Sequence, residues 1–128
     1  AAGQRVVIGG KSLGGRIATH VAGEERVRGV VCFGYPFHPP AHPQTLRTRH
    51  LQTIERPVLI LQGTRDRFGN EHEISSYTLS PRVRIEWLND GDHSLEPRVR
   101  SGVTGAENLA RAADLAAAFI LDCLRQQT

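Results

Sequence analysis

Three residues of this chain have the types and the order that nucleophilic acyl chemistry requires: Ser12, Asp66 and His93. Ser12 sits at the centre of Gly10-Lys11-Ser12-Leu13-Gly14, directly after a short apolar run. A serine hydroxyl attacks poorly until a base takes its proton, and the base needs an orienting group. His93, in Asp90-Gly91-Asp92-His93, is the candidate base, and Asp66, in Gly63-Thr64-Arg65-Asp66, is the candidate acid. Glycines on either side of Ser12 allow a sharp turn in which backbone passes close to backbone. A helix starting at Leu13 leaves free N–H groups beside the serine, and the Leu13 N–H is the natural donor to an oxyanion. Asp90 and Asp92 compete with Asp66 as orienter, but they lie so near His93 in sequence that backbone geometry is expected to keep them from it.

Such a constellation needs a scaffold that delivers three distant residues to one place. Arg5-Val6-Val7-Ile8 reads as a buried strand ending at Gly9-Gly10. Leu13, Ile17, Ala18 and Val21 follow at helical spacing. Gly29 to Phe33 is a second strand, Val58 to Gln62 a third and Val83 to Leu88 a fourth. Between the second and third, Pro36, Pro39, Pro40 and Pro43 break any regular element, with a short helix expected from Leu46 to Leu51. Asn70 with Glu73, and Thr104 with Glu107, are spaced as capping boxes. The first opens a helix to about Tyr77, and the second opens one with apolar positions Leu109, Ala113, Ala116, Ala117, Ile120 and Leu124. Trp87 is expected in the sheet core. Alternating strands and helices predict a three-layer α/β/α fold, with a mostly parallel sheet of about four strands, in one domain spanning residues 1–128. Ser12, Asp66 and His93 then all follow strand ends, the edge where parallel sheets form their sites.

Four segments carry a family resemblance: Val7 to Arg16, Gly34-Tyr35-Pro36-Phe37-His38-Pro39-Pro40, Leu61 to Asp66, and Asp90 to Ser94. Over essentially the whole chain, the sequence resembles a dienelactone-hydrolase-like branch of the α/β-hydrolase superfamily that has no assigned substrate. The resemblance implies a truncated α/β-hydrolase fold with Ser12 as nucleophile, Asp66 as acid and His93 as base. It implies hydrolysis of an ester, thioester or similar acyl bond of a small molecule, with no cofactor. Dienelactone hydrolases themselves carry cysteine where this chain has Ser12. The resemblance also implies further strands ahead of Arg5, so the chain is expected to be the C-terminal part of a longer domain. On that expectation one oxyanion donor lies elsewhere, and the first strand is a bare edge open to homo-oligomerisation. The alternative is a non-catalytic α/β-hydrolase-like scaffold for protein interaction, which would have no need of all three residues.

Lys11, Tyr35, His38 and Arg98 are the candidate substrate-binding residues. Lys11 adjoins the nucleophile, and Tyr35 and His38 lie in a Pro-rich loop expected to cap the site. Arg98, with Arg100, is suited to a carboxylate or phosphate. No metal site is expected, since His38, His42 and His50 lie at proline-broken spacing that fits no zinc pattern. Gly10-Lys11-Ser12 is not a phosphate-binding loop, because that motif needs a glycine where Arg5 stands. Lys11 is the only lysine among 16 basic residues, and the arginines are scattered. With aromatics at 5%, no stacking surface for nucleic acid is expected. No apolar run reaches the roughly 18 residues of a membrane span. Cys32 and Cys123 read as two reduced, buried thiols of a cytoplasmic protein.

Overall fold

The computed structural model describes residues 3–126, so the two outermost residues at each end of the expected 1–128 domain lie outside it. Four strands alternate with helices: β1 (Val6–Lys11), α1 (Leu13–His20), β2 (Val27–Phe33), β3 (Val58–Gly63), α2 (Glu71–Ile74), β4 (Val83–Leu88) and α3 (Gly105–Arg125). The strands form one parallel sheet in the order β1-β2-β3-β4, so each pairs with its neighbour in sequence. This is the α/β/α architecture predicted, with short 3-10 turns at Arg49–Gln52 and Val99–Ser101 inside the long loops. Where a helix was expected over Leu46 to Leu51, only the first of these turns forms. The helix after Asn70 ends at Ile74, short of Tyr77.

The two central strands are buried on both faces, as parallel strands between helical layers must be. Val30, Cys32, Val58 and Ile60 pack on one side with Ala18 and Ala22 of α1 and with Tyr35, Phe37 and Leu51 of the Pro-rich loop. Val31, Leu59 and Leu61 pack on the other with Ala112, Ala116 and Phe119 of α3. Each fully buried Val, Leu or Ile contributes roughly 1.5–3 kcal/mol relative to exposure. Trp87 packs, half-buried, against the first of these clusters. No helix of the described residues is long and apolar enough to cross a membrane.

Both helices that flank the sheet differ from expectation in the face they bury. In α1 the buried residues are Gly15, Ala18 and Thr19, whereas Leu13, Ile17 and Val21 are exposed. Small residues bring this helix close to the sheet, and the large apolar ones form a stripe on its outer side. In α3 the buried positions are Asn108, Ala112, Ala116, Phe119 and Cys123, about one residue earlier than the apolar pattern suggests. Alanines on several sides of α3 blur its pattern, and a polar anchor decides the rotation. The Asn108 side-chain amide donates to Asn89 O and Leu95 O, both at 3.0 Å, and draws that face inward.

Candidate active site

Ser12 stands between β1 and α1 with φ 53° and ψ −120°, a left-handed conformation rare for a residue with a side chain. Holding it there costs about 1–3 kcal/mol, which the surrounding strand and helix must offset. The turn is tight because Gly10 and Gly15 touch. A Cβ on Gly10 would lie 2.6 Å from the carbonyl carbon of Gly14, and one on Gly15 would lie 2.8 Å from Gly10 O. Gly14, the second glycine of the motif, has open space around it. The steric demand therefore falls on Gly10 and on Gly15, the latter one position beyond the motif. The turn projects the hydroxyl from the C-terminal edge of the sheet. Leu13 opens α1, so its N–H has no acceptor within the helix.

The Ser12 hydroxyl lies 2.7 Å from His93 Nε2, and His93 Nδ1 lies 2.8 Å from Asp66 Oδ2. A carboxylate only accepts, so Nδ1 carries the proton and donates to Asp66. Nε2 is then free to accept from Ser12. Asp66 is fully buried, 0% exposed, so its charge must be met by donors. Besides His93, the Phe68 N–H donates to Oδ1 at 2.8 Å and the Gln62 amide donates to Oδ2 at 3.1 Å. The Phe68 ring lies against the imidazole, centroids 4.1 Å apart. The two rival aspartates are occupied elsewhere. Asp90 is bound by Arg98 and Arg65, and the Arg98 guanidinium holds its carboxyl well below the usual range. Asp92 accepts from the N–H groups of Ser94 and Glu96, shaping the turn that carries His93.

Of the four expected ligand-binding side chains, only Lys11 lies beside this cluster. With Phe33, Leu95, Leu109, Ser94 and His93 it lines a cavity of about 170 Å³. Tyr35 is in the core, 0% exposed, with its hydroxyl donating to Arg47 O at 2.8 Å, and burial pushes that phenol up to about 12. The apolar ring is worth more buried than displayed, and the hydroxyl finds a backbone partner there. His38 is also buried, with Nε2 at 3.0 Å from Glu73 and Nδ1 at 2.8 Å from Pro39 O. It ties the Pro-rich loop to α2 and does not reach the cavity. Burial alone would raise the Glu73 carboxyl. Hydrogen bonds from the Asn70 N–H and His38 outweigh that and hold it below its ordinary value. Arg98 is likewise engaged, its guanidinium on Asp90 at 2.6 Å, so its charge is matched inside the loop. Among the described residues no group of three or more His, Cys, Asp or Glu is placed to hold a metal ion.

Gln62 is the residue that sequence reasoning missed. It is fully buried at the end of β3. Its Oε1 accepts the Tyr35 N–H at 2.8 Å, while its Nε2 faces Tyr35 O, Asp66 Oδ2 and Gly69 O at 3.0–3.1 Å. One amide thus joins the strand, the Pro-rich loop and the carboxylate that orients His93. The available signal was a polar residue closing the apolar run Val58-Leu59-Ile60-Leu61.

A family profile described as an alpha/beta hydrolase domain matches residues 1–121. Among solved structures, the esterase domain of a Rhodothermus marinus protein is similar at 20% identity and TM-score 0.60, covering 88% of this chain and 58% of its own. An alpha-beta serine hydrolase homologue from Coxiella burnetii is similar at 16% identity and TM-score 0.61, with 89% and 49% covered. An esterase of Pyrococcus furiosus is similar at 13% identity and TM-score 0.60, with 89% and 53% covered. At these identities the likeness is one of fold. The chain spans about half the length of these structures.

Proposed function

Because this chain belongs to the alpha/beta hydrolase domain family, we propose that it is a serine hydrolase acting on an ester, thioester or related acyl bond of a small molecule. The observation that carries this reading is the continuous hydrogen-bonded line from Ser12 through His93 to buried Asp66, at 2.7 and 2.8 Å. In the proposed reaction, His93 Nε2 takes the Ser12 proton as Oγ attacks the acyl carbon. The Leu13 N–H donates to the oxyanion. The bond to the leaving alkoxide or thiolate breaks, and His93 returns the proton to it. Water, activated by the same imidazole, then releases the acid and restores Ser12. Asp66 keeps Nδ1 protonated and offsets the charge of the imidazolium.

The cavity beside His93 is the proposed seat of the acyl group. Its walls are Phe33, Leu95 and Leu109, and Lys11 supplies one cation at its edge. A short apolar acyl chain suits those walls, and a serine nucleophile in a dienelactone-hydrolase-like frame suits an ester. The edge of β1 that has no partner among the described residues, and the exposed stripe of Leu13, Ile17 and Val21, are surfaces that a further strand and helix would cover. They support reading the chain as the C-terminal part of a longer hydrolase domain. The buried thiols Cys32 and Cys123 suit a cytoplasmic setting.

A fluorophosphonate probe tests the reading directly. The protein is expected to be labelled at Ser12, and Ser12→Ala to abolish labelling with no change in fold. Absence of labelling in the wild-type protein, together with no cleavage of short-chain esters, would refute it in favour of a scaffold.

A further inference from the structure

The sheet edge opposite Ser12 carries a second cluster that the proposed chemistry does not use. In a parallel sheet all strands begin at that edge. Arg28 is the second residue of β2, Arg56 stands two residues before β3, and Arg82 immediately precedes β4. The ladders set these starts side by side: Val30 N donates to Pro57 O at 2.9 Å, and Val58 N donates to Arg82 O at 3.0 Å. Arg28 is also the extra residue of a bulge between β1 and β2, since Val6 faces Val27 while Val7 faces Gly29. Bulges of this kind redirect a side chain out of the ladder.

The three arginines line one cleft of about 80 Å³, with Glu55, Cys123 and Gln126. That is room for a few water-sized groups. None of the three is ion-paired among the described residues. The Nε atoms of Arg28 and Arg56 are buried and have no hydrogen-bond partner. Arg82 Nε donates to Glu55 O at 3.1 Å. Glu55 is the one carboxylate on the cleft among the described residues, and its exposed side chain makes no ion pair. A buried donor without an acceptor is costly to a fold, so these two Nε–H groups are free to donate to a ligand in the cleft. A guanidinium fork fits the oxygens of a phosphate better than any neutral partner.

We propose that this cleft is a binding site for the phosphate group of a small soluble molecule, held by Arg28, Arg56 and Arg82 at the edge remote from the catalytic serine. Bound there, it leaves Ser12 open and stabilises the folded chain by mass action.

Titration calorimetry with inorganic phosphate, against chloride at equal ionic strength, tests this. A saturable one-to-one heat is expected. Arg56→Gln and Arg82→Gln should each weaken it about tenfold or more, the loss of one charge-assisted hydrogen bond. Arg111→Gln, on α3 and away from the cleft, should leave it unchanged. The side chain of Arg82 is exposed, so if Arg56→Gln fails to fold, Arg82→Gln decides alone. No saturable heat with phosphate at about 10 mM, a range typical of weak small-ligand sites, or full binding by both variants, overturns the proposal. Fluorophosphonate labelling of Ser12 is expected to be the same with and without phosphate. Competition between the two would place the anion at the catalytic edge and overturn the assignment.

Discussion

Replacing Gln62 by Met keeps nearly the same volume and removes every polar contact of the side chain. The consequences follow from which partners have alternatives. Asp66 Oδ2 retains the His93 N–H, and Tyr35 O still accepts from Phe37 N at 3.1 Å. The Tyr35 N–H and Gly69 O lose the only partners found for them among the described residues. A buried polar group left unmet costs about 1–3 kcal/mol, so two give roughly 4 kcal/mol. Against a typical total of about 5–15 kcal/mol, that is a large fraction. Urea unfolding followed through Trp87, the single tryptophan, measures it. Labelling of Ser12 by a fluorophosphonate is expected to slow as well, because Asp66 loses a donor and the loop bearing Tyr35 is released. A loss of stability below about 1 kcal/mol would show that water replaces the amide without cost, and would refute the view of Gln62 as the hub of the site.

Gly34 has φ +70°, and a Cβ there would lie 2.6 Å from His93 O. Gly34→Ala is expected to cost about 1–2 kcal/mol from the left-handed backbone alone. By displacing His93 it should also slow Ser12 labelling about tenfold or more. Gly102→Ala is the control, since φ is +81° there but nothing lies within 4 Å, so it should lose stability and keep the labelling rate. His50 offers a pH test. Burial, then the charges of His20 and Arg16, lower it from 6.5 to about 4. The folded state therefore resists protonation, so its contribution is complete above pH 6.5 and is lost as pH falls toward 4. At this half-buried ring, stacked 3.7 Å from His20, solvent screening reduces the effect to about 1 kcal/mol. His50→Gln should flatten that part of the stability profile, and an unchanged slope would refute the assignment.

The fold was legible because its signals are local. Apolar runs at Val58 and Val83, and capping boxes at Asn70 and Thr104, each act within a few residues, and both boxes form with side chain and backbone bonds in place. The spacing of Ser12, Asp66 and His93 pointed to one sheet edge, and the structure brings the three side chains within hydrogen-bonding distance there. What escaped was the facing of side chains. The sequence puts Tyr35 and His38 in a loop that adjoins the site, but ring burial turns Tyr35 inward and the Glu73 partner turns His38 inward. Leu13, Ile17 and Val21 have the spacing of a buried stripe and are exposed, because Gly15 and Ala18 allow closer packing on the sheet. Gln62 shows in the sequence only as a polar residue closing the apolar run of β3, and its role does not show. Its importance lies in four contacts with residues up to 27 positions away, and the identity of those partners is not written in its own segment.

The order of strands in the sheet has a consequence for folding. Each strand joins beside its predecessor, so the sheet can grow one unit at a time from either side without rearrangement. Ser12, however, precedes the second strand, and His93 follows the fourth, 81 residues later. The hydrogen bond between them closes only when the last strand has docked. A partly folded or truncated chain would thus hold a strained serine with no base, and the hydroxyl would stay unreactive. On the proposed chemistry, reactivity at Ser12 becomes a report on the docking of β4, and a single covalent probe would count only those molecules in which these four strands have come together.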